Sequence, residues 1–251
     1  MPGSASTVAS RIEPRAVKTA ARSLLQRLGI EAVRYAPRNF PHLRRAVLLG
    51  EERIDLVVDA GAGDGRWAAA LRTNGYTGRI VSFEPLADSF AELQAAAAGD
   101  GLWDVRRVAL AGTNGRGALH VSTNRQSSSL LAMAPRHLLH APESAVVGTE
   151  EVELGRLDSI DFADATSIYL KVDVQGTELD VLRGAASALL STRLVEAELS
   201  AVELYDGQPL IEDVIAHLRK KGFDLIGLET SFRDRATGDL LQANGFFRRR
   251  P

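Results

Sequence analysis

Residues 54–86, IDLVVDAGAGDGRWAAALRTNGYTGRIVSFEPL, constrain this chain more than any other stretch. Ile54, Leu56, Val57 and Val58 make a short apolar run rich in β-branched residues, the pattern of a strand buried in a parallel sheet. Asp59 ends the run, and Gly61, Gly63 and Gly65 follow at alternate positions. Trp67, Ala68, Ala70 and Leu71 then recur at helical spacing as far as Gly75, a helix stop. Residues 79–83 read as a second strand, with Glu84 at its end. Glycines let a ligand approach the backbone closely at a strand-to-helix turn. The helix N-terminus offers free N–H groups to an anionic group such as a carboxylate. An acidic residue about 20 positions further on can take both hydroxyls of a ribose.

Two cofactors fit that description. A dinucleotide fingerprint wants G-x-G-x-x-G, but Arg66 occupies the third-glycine position and Gly65 comes one residue early. The pattern D-x-G-x-G-x-G is nearer to S-adenosylmethionine binding, because that cofactor has a ribose but no pyrophosphate. A plain turn with no ligand would require Asp59, the glycines and Glu84 to coincide by chance.

The 251 residues are enough for one large α/β domain, and 45% of them are hydrophobic, enough for a full core. A formal net charge of −2 argues against nucleic acid or a charged membrane surface as partner. No basic aromatic stripe or Asn-Pro-Pro-Tyr-type motif points to nucleic acid either. With no cysteine, disulfides, cysteine nucleophiles and thiolate zinc sites are excluded. The sequence has no apolar run long enough to span a bilayer and no signal pattern, so a cytoplasmic enzyme is expected.

Residues 1–50 read as an N-terminal helical extension and residues 51–251 as the main domain. The first 13 residues, small and polar, are expected to be disordered. From Pro14, a helix presents Val17, Ala20, Ala21, Leu24, Leu25 and Leu28 on one face and stops at Gly29. Residues 40–50 form a second helix or turn. These helices would cover the cofactor or substrate, or serve packing and a homo-oligomer. Beyond Glu84 come a helix over 85–98 and a strand over 105–110. Strands over 117–123 and 150–154 flank a polar insertion that suits a substrate-facing loop, a lid or an ordinary surface excursion. A strand over 167–174, a helix over 177–190, a strand over 194–199 and a helix over 209–221 follow. Residues 223–228 and 245–248 close the chain as an antiparallel hairpin at the edge of a doubly wound, mostly parallel sheet.

Several segments carry a family likeness: VVDAGAGDGRWAAALR, GRIVSFEPL, NRQSSSLL, LKVDVQGTELDVLRGA, VEAELSAVELYDGQPL and GDLLQANGFFRR. Through them the chain resembles the FkbM family of S-adenosylmethionine-dependent methyltransferases, and DVQGTELDVLRGA is the most specific of the six. The resemblance implies a Rossmann-like class I fold and O-methylation of a hydroxyl on a sugar, glycolipid or natural product. It departs from the family at Asn244, where an acidic residue is usual. The cofactor contacts expected in the first half are Asp59, Gly61, Ala62, Gly63, Glu84 and Pro85. Ala109, Ser128, Ser129, Asp173 and Gln175 complete that set.

Methyl transfer to an alcohol requires the acceptor oxygen to be positioned and its proton to leave. Ligands bind beyond the carboxyl ends of strands in open α/β sheets, so acids at strand ends come first. Asp173 is the leading base candidate, with a helix-capping aspartate as the plainer role. Lys171 shares its strand face and could hold it ionised. Glu198 is an alternate base or substrate ligand, and the deeper Glu196 needs a partner if buried. Asp173 and Glu198 together could hold Mg²⁺, though a metal-free reaction is favoured. Asn124, His140, Glu198 and Tyr205 are the expected acceptor contacts, and His137 lies three residues from His140. A nicotinamide-dependent oxidoreductase is the first rival, weakened by the glycine spacing and the absence of a Tyr-x-x-x-Lys pair. A non-catalytic cofactor-binding protein of the same fold is the second.

Overall fold

The computed structural model describes residues 14–31, 33–37, 40–162 and 164–251. The expected disorder of the first 13 residues lies outside them. The described residues divide into two compact units, one up to Arg44 and one from Arg45 on. In the first, α1 (Pro14–Arg27) ends where Gly29 takes φ +73° and the Ile30 N–H returns to the Leu25 carbonyl. Only a residue without Cβ adopts that closing turn at low cost. α2 (Pro41–Glu51) begins in this unit and runs into the second.

The second unit is built on a seven-stranded sheet. Its first half comprises β1 (Leu56–Ala60), α3 (Arg66–Thr73), β2 (Arg79–Phe83), α4 (Ala87–Ala97) and β3 (Trp103–Arg106). An insertion follows: β4 (Ala109–Leu110), β5 (Gly115–Ser122), α5 (Pro135–His140) and β6 (Val146–Gly155). The second half holds β7 (Ile168–Val172), α6 (Glu178–Arg183), α7 (Ala188–Ser191), β8 (Thr192–Ser200), α8 (Ile211–Lys220), β9 (Phe223–Arg233) and β10 (Leu240–Arg249). The sheet order is β3-β2-β1-β7-β8-β10-β9. The first five of these are parallel, and β10 runs antiparallel to both β8 and β9. This is the doubly wound class I architecture with its antiparallel C-terminal pair. The order reverses between β1 and β7, which leaves a crevice at their carboxyl ends.

β1 and β7 are buried along their whole length, as their continuous apolar runs require. Leu56, Val58 and Ala60 pack with Leu182, Val195 and Leu218 on one side of the sheet. Val57 and Tyr169 pack with Ala68, Leu71, Leu93 and Trp103 on the other.

Three expectations on element bounds change. The strand expected over 105–110 is two strands in different sheets: β3 stays with β2, whereas β4 pairs with β6 in a separate three-stranded sheet of order β4-β6-β5. The helix expected over 177–190 breaks at Gly184, where an added Cβ would lie 2.3 Å from the Ala111 carbonyl oxygen. Asp158 then accepts the Ser187 and Ala188 N–H groups at the start of α7. The closing hairpin is longer than its apolar core, with β9 and β10 spanning 11 and 10 residues. No helix among the described residues is long and apolar enough to cross a membrane.

Candidate active site

The glycine turn is shaped from two sides. Gly61 has φ +76°, and a Cβ there would meet the Asp173 carbonyl oxygen at 1.8 Å. The glycine is therefore required by the neighbouring turn after β7. Gly63, at φ +56°, has nothing within 4 Å of an added Cβ, so its open side faces the cavity it lines. Its N–H donates to Glu84 Oε2 at 2.8 Å, and the Leu86 N–H donates to Oε1 at 2.9 Å. Burial raises the Glu84 carboxyl above its ordinary value, and these two N–H groups oppose the rise. Turn and acid form one unit, with a lone pair left on each oxygen for a further donor.

Strand register builds the next layer. Asp59 of β1 stands opposite Ser82 of β2 and Lys171 of β7. The Trp103 indole donates to Ser82 Oγ, and Ser82 donates to Asp59 Oδ2 at 3.3 Å. Lys171 Nζ lies 3.0 Å from Asp59 Oδ1, donates to the Gly61 carbonyl at 3.0 Å, and lies 3.7 Å from Asp173 Oδ2. Burial alone would lower the Lys171 ammonium, but Asp59 and Asp173 more than offset it and raise it above the usual lysine value. Lys171 is thus a fixed cation under the end of β7.

At that end the backbone turns sharply. Gln175 is a non-glycine residue at φ +56°. Its Nε2 donates to Asp173 Oδ1 and to Glu198 Oε2, both at 2.8 Å, and its Oε1 accepts from the Tyr205 hydroxyl at 2.8 Å. Glu178 accepts the Val174 and Gly176 N–H groups, and burial pushes its carboxyl up to about 7. Glu198 also accepts from Gln242 Nε2 at 2.8 Å. Burial, then Asp173 and Glu178, hold the Glu198 carboxyl well above the usual range. Asn244 is the register partner of Glu198 on β10. An acid there would set a further carboxylate beside Glu198, and the amide avoids that repulsion.

A cavity of about 560 Å³ brings these groups together. Of the expected cofactor contacts, Gly61, Ala62, Gly63, Glu84, Pro85 and Ala109 line it, as do Ser128, Asp173 and Gln175. Lys171, Glu198 and Asn124 line it too. Four expected residues do not. Asp59 and Tyr205 are fully buried behind the lining, and Ser129 is spent on the Gln175 carbonyl and the Leu131 N–H. His140 ends α5, with its Nδ1 3.9 Å from Asp234. His137 is buried against the Tyr205 ring, 5.1 Å between centroids. Tyr205 is thus closed off from the cavity by its burial, and His140 lies outside the cavity lining.

Asn124 differs again. Its amide donates to Ser127 Oγ and Ser144 Oγ and accepts from Ser122 Oγ and the Ser127 N–H. Those four bonds exhaust its capacity, so it shapes the cavity wall rather than offering a free polar group. The capping role open to Asp173 is not observed: its side-chain partners are Gln175 and Lys171, and Glu178 takes the turn's N–H groups.

Sequence reasoning missed part of the lining. Trp67 sits in the first turn of α3, with its ring 5.5 Å from the Lys171 ammonium. Glu92 of α4 pairs with Arg125 of the insertion at 2.9 Å, and both line the cavity. The helical period of α4 places Ser89 and Glu92 on one face, a signal that could have found them. Leu119 and Leu130 join Pro85 and Ala109 as an apolar section of the wall. Among the described residues no group of three or more His, Asp or Glu side chains is placed to hold a metal ion.

The sequence profile of a family described as "Methyltransferase FkbM domain" matches residues 59–225. The chain is 28% identical over 232 residues to 2-O-methyltransferase NoeI of Sinorhizobium fredii (strain NBRC 101917 / NGR234), covering 88% of this chain and 93% of that protein. Among solved structures it is similar to magnesium protoporphyrin IX methyltransferase (ChlM) from Synechocystis PCC 6803 with bound SAH. That match has 12% identity and a TM-score of 0.47, over 93% of this chain and all (100%) of that one. It is also similar to a putative RNA methyltransferase, PH1948, from Pyrococcus horikoshii, at 12% identity and a TM-score of 0.44. There 83% of this chain and 81% of the other are covered.

Proposed function

The chain belongs to the FkbM methyltransferase family, and on that premise we propose that it is an S-adenosylmethionine-dependent O-methyltransferase. Its acceptor is a hydroxyl of a sugar, glycolipid or natural product, its general base is Asp173, and it acts in the cytoplasm. The observation that carries this reading is the shared cavity. A carboxylate at the end of β7, 35% exposed, lies in the same 560 Å³ as the glycine turn and Glu84. The similarity to a protein named for 2-O transfer supports an oxygen acceptor.

The lining fits the cofactor. Glu84 keeps lone pairs for ribose hydroxyls, the open side of Gly63 admits a ligand to the backbone, and Pro85, Ala109, Leu119 and Leu130 suit an adenine ring. Bound S-adenosylmethionine supplies an electrophilic methyl group on a sulfonium. Asp173 takes the acceptor hydroxyl's proton at its carboxylate oxygen. Glu198, which accepts from Gln175 and Gln242, is the second carboxylate of the site and orients the acceptor. Lys171 holds Asp173 from behind through their 3.7 Å ion pair.

Incubation with methyl-labelled S-adenosylmethionine and a panel of sugars, glycolipids and polyketides, read by mass spectrometry, tests this proposal. Methyl ethers are the expected product. Stabilisation by NAD in preference to S-adenosylhomocysteine would favour the oxidoreductase, and cofactor binding without any turnover would favour the non-catalytic protein. Chelation should leave the activity intact, because Asp173 and Glu198 already share a neutral amide donor. Loss of activity with rescue by added Mg²⁺ would replace this mechanism with a metal-assisted one.

Glu84→Gln should weaken S-adenosylmethionine binding about 10–100-fold, equivalent to one charge-assisted hydrogen bond of about 1.5–3 kcal/mol. Calorimetry on the folded variant gives the answer directly, and unchanged affinity would remove Glu84 from the ribose site.

A further inference from the structure

We propose that Gln175, anchored by Tyr205, is a positioning residue that holds Asp173 and Glu198 in register by sharing one amide nitrogen between them. The inference deepens the proposed function and rests on Asp173 being the base.

The amide has two donor hydrogens, and the two carboxylates take both at 2.8 Å. Its oxygen takes the Tyr205 hydroxyl at 2.8 Å. Turning the amide over would press Oε1 against two carboxylate oxygens, so the nitrogen is assigned to that side. Tyr205 can then steady the amide only from the oxygen end, where it also lies 3.1 Å from the Ser127 carbonyl. His137 packs edge-on against the Tyr205 ring behind it.

The backbone supplies the second observation. At φ +56° glycine is the residue of least strain, and Gly176 next door already takes φ +105°. A glutamine keeps the strained position, held by Ser129 on its carbonyl and by Glu178 on the following N–H. Nothing in the turn itself requires a long side chain there. The bridge between the carboxylates accounts for it.

Lys171, 3.7 Å from Asp173, is the cation facing the pair; Asp59 behind it, Glu178 beneath the turn and Glu196 two residues before Glu198 are the nearby anions. N–H donors favour ionised carboxylates. Without the Gln175 amide, Glu198 holds its proton to higher pH.

The test reads the carboxylates directly and needs neither cofactor nor acceptor. Protein labelled with ¹³C at Asp and Glu carboxyls is titrated by NMR, with resonances assigned through Asp173→Asn and Glu198→Gln. Gln175→Gly relieves the backbone strain while deleting the amide, and Gln175→Leu deletes the amide alone. Both should move the Glu198 midpoint upward by about one pH unit, a tenfold change in proton affinity. Tyr205→Phe should move it in the same direction by less. A residue that served only the turn would instead leave that midpoint in place and gain stability as glycine. An unchanged Glu198 midpoint in either folded Gln175 variant overturns the proposal. If the midpoint moves but the wild-type protein methylates nothing, the bridge stands and the methyltransferase reading falls.

Discussion

Asp173→Asn should slow single-turnover methyl transfer by roughly 10²–10⁴-fold, about 3–5 kcal/mol of barrier. The substitution keeps the shape and the bond accepted from Gln175 Nε2, since the remaining carbonyl oxygen can take it. It removes the site that receives the acceptor's proton. It also removes the ion pair with Lys171, but that ammonium retains Asp59 and the Gly61 carbonyl, each at 3.0 Å. Stability should therefore change little. Asp173 holds no helix N-terminus, so the loss of about 0.5–2 kcal/mol that follows removal of a cap is not expected. Cofactor affinity should also hold, because the ribose contact proposed for Glu84 is untouched. Single-turnover rate, calorimetric affinity and melting are to be measured on one preparation. A folded variant with near-normal rate would end the base assignment and pass it to Glu198.

The parts of this molecule legible in the sequence are those where the informative residues are near neighbours along the chain. The unit from β1 to Glu84 is read from local periodicity and glycine spacing, and the structure keeps its order and its second strand, while β1 starts two residues later than the apolar run and carries Asp59 inside it. β4 was absorbed into its neighbour because a two-residue strand has no period of its own; only pairing with Leu154 and Gly155 separates it from β3. Gly184 is a local stop signal of the kind read at Gly29 and Gly75, but the reason it must be glycine, the Ala111 carbonyl oxygen 2.3 Å from an added Cβ, lies far away in the chain. Within the site, residue types were easier to foresee than jobs. Asn124 and Tyr205 are where a polar site needs them, but Asn124 is committed to Ser144, 20 residues away, and Tyr205 to Gln175, 30 residues away. A hydrogen-bond inventory over the fold decides whether such a side chain contacts a ligand or the protein, and no spacing in the sequence encodes it. Glu196 shows both sides of the rule. Its depth in a buried strand demands a partner, and the partner lies 151 residues earlier.

Loss of that partner, Arg45, should cost the second unit a large part of its stability. Arg45 donates to Glu196 in bidentate fashion, Nε to Oε2 at 2.7 Å and Nη2 to Oε1 at 2.6 Å. The two side chains are only 12% and 4% exposed. The Tyr169 hydroxyl also donates to Glu196. The guanidinium lies 5.5 Å from the Trp67 ring and 5.6 Å from the Phe246 ring, so it packs as well as pairs. Arg45→Ala leaves a buried carboxylate with one neutral donor, and breaking such a pair costs about 3–5 kcal/mol. Urea titration should show that loss at neutral pH. Replacing all three partners together, Arg45→Met, Tyr169→Phe and Glu196→Leu, should recover most of it, because the apolar set leaves neither an unpaired charge nor an orphaned hydroxyl. Recovery in that combined variant would assign the loss to the uncompensated Glu196 charge. No recovery would assign it to packing around Trp67 and Phe246. Because Trp67 also lines the cavity, that second outcome would carry a weakened cofactor affinity with it, whereas a purely electrostatic loss would leave affinity per folded molecule unchanged.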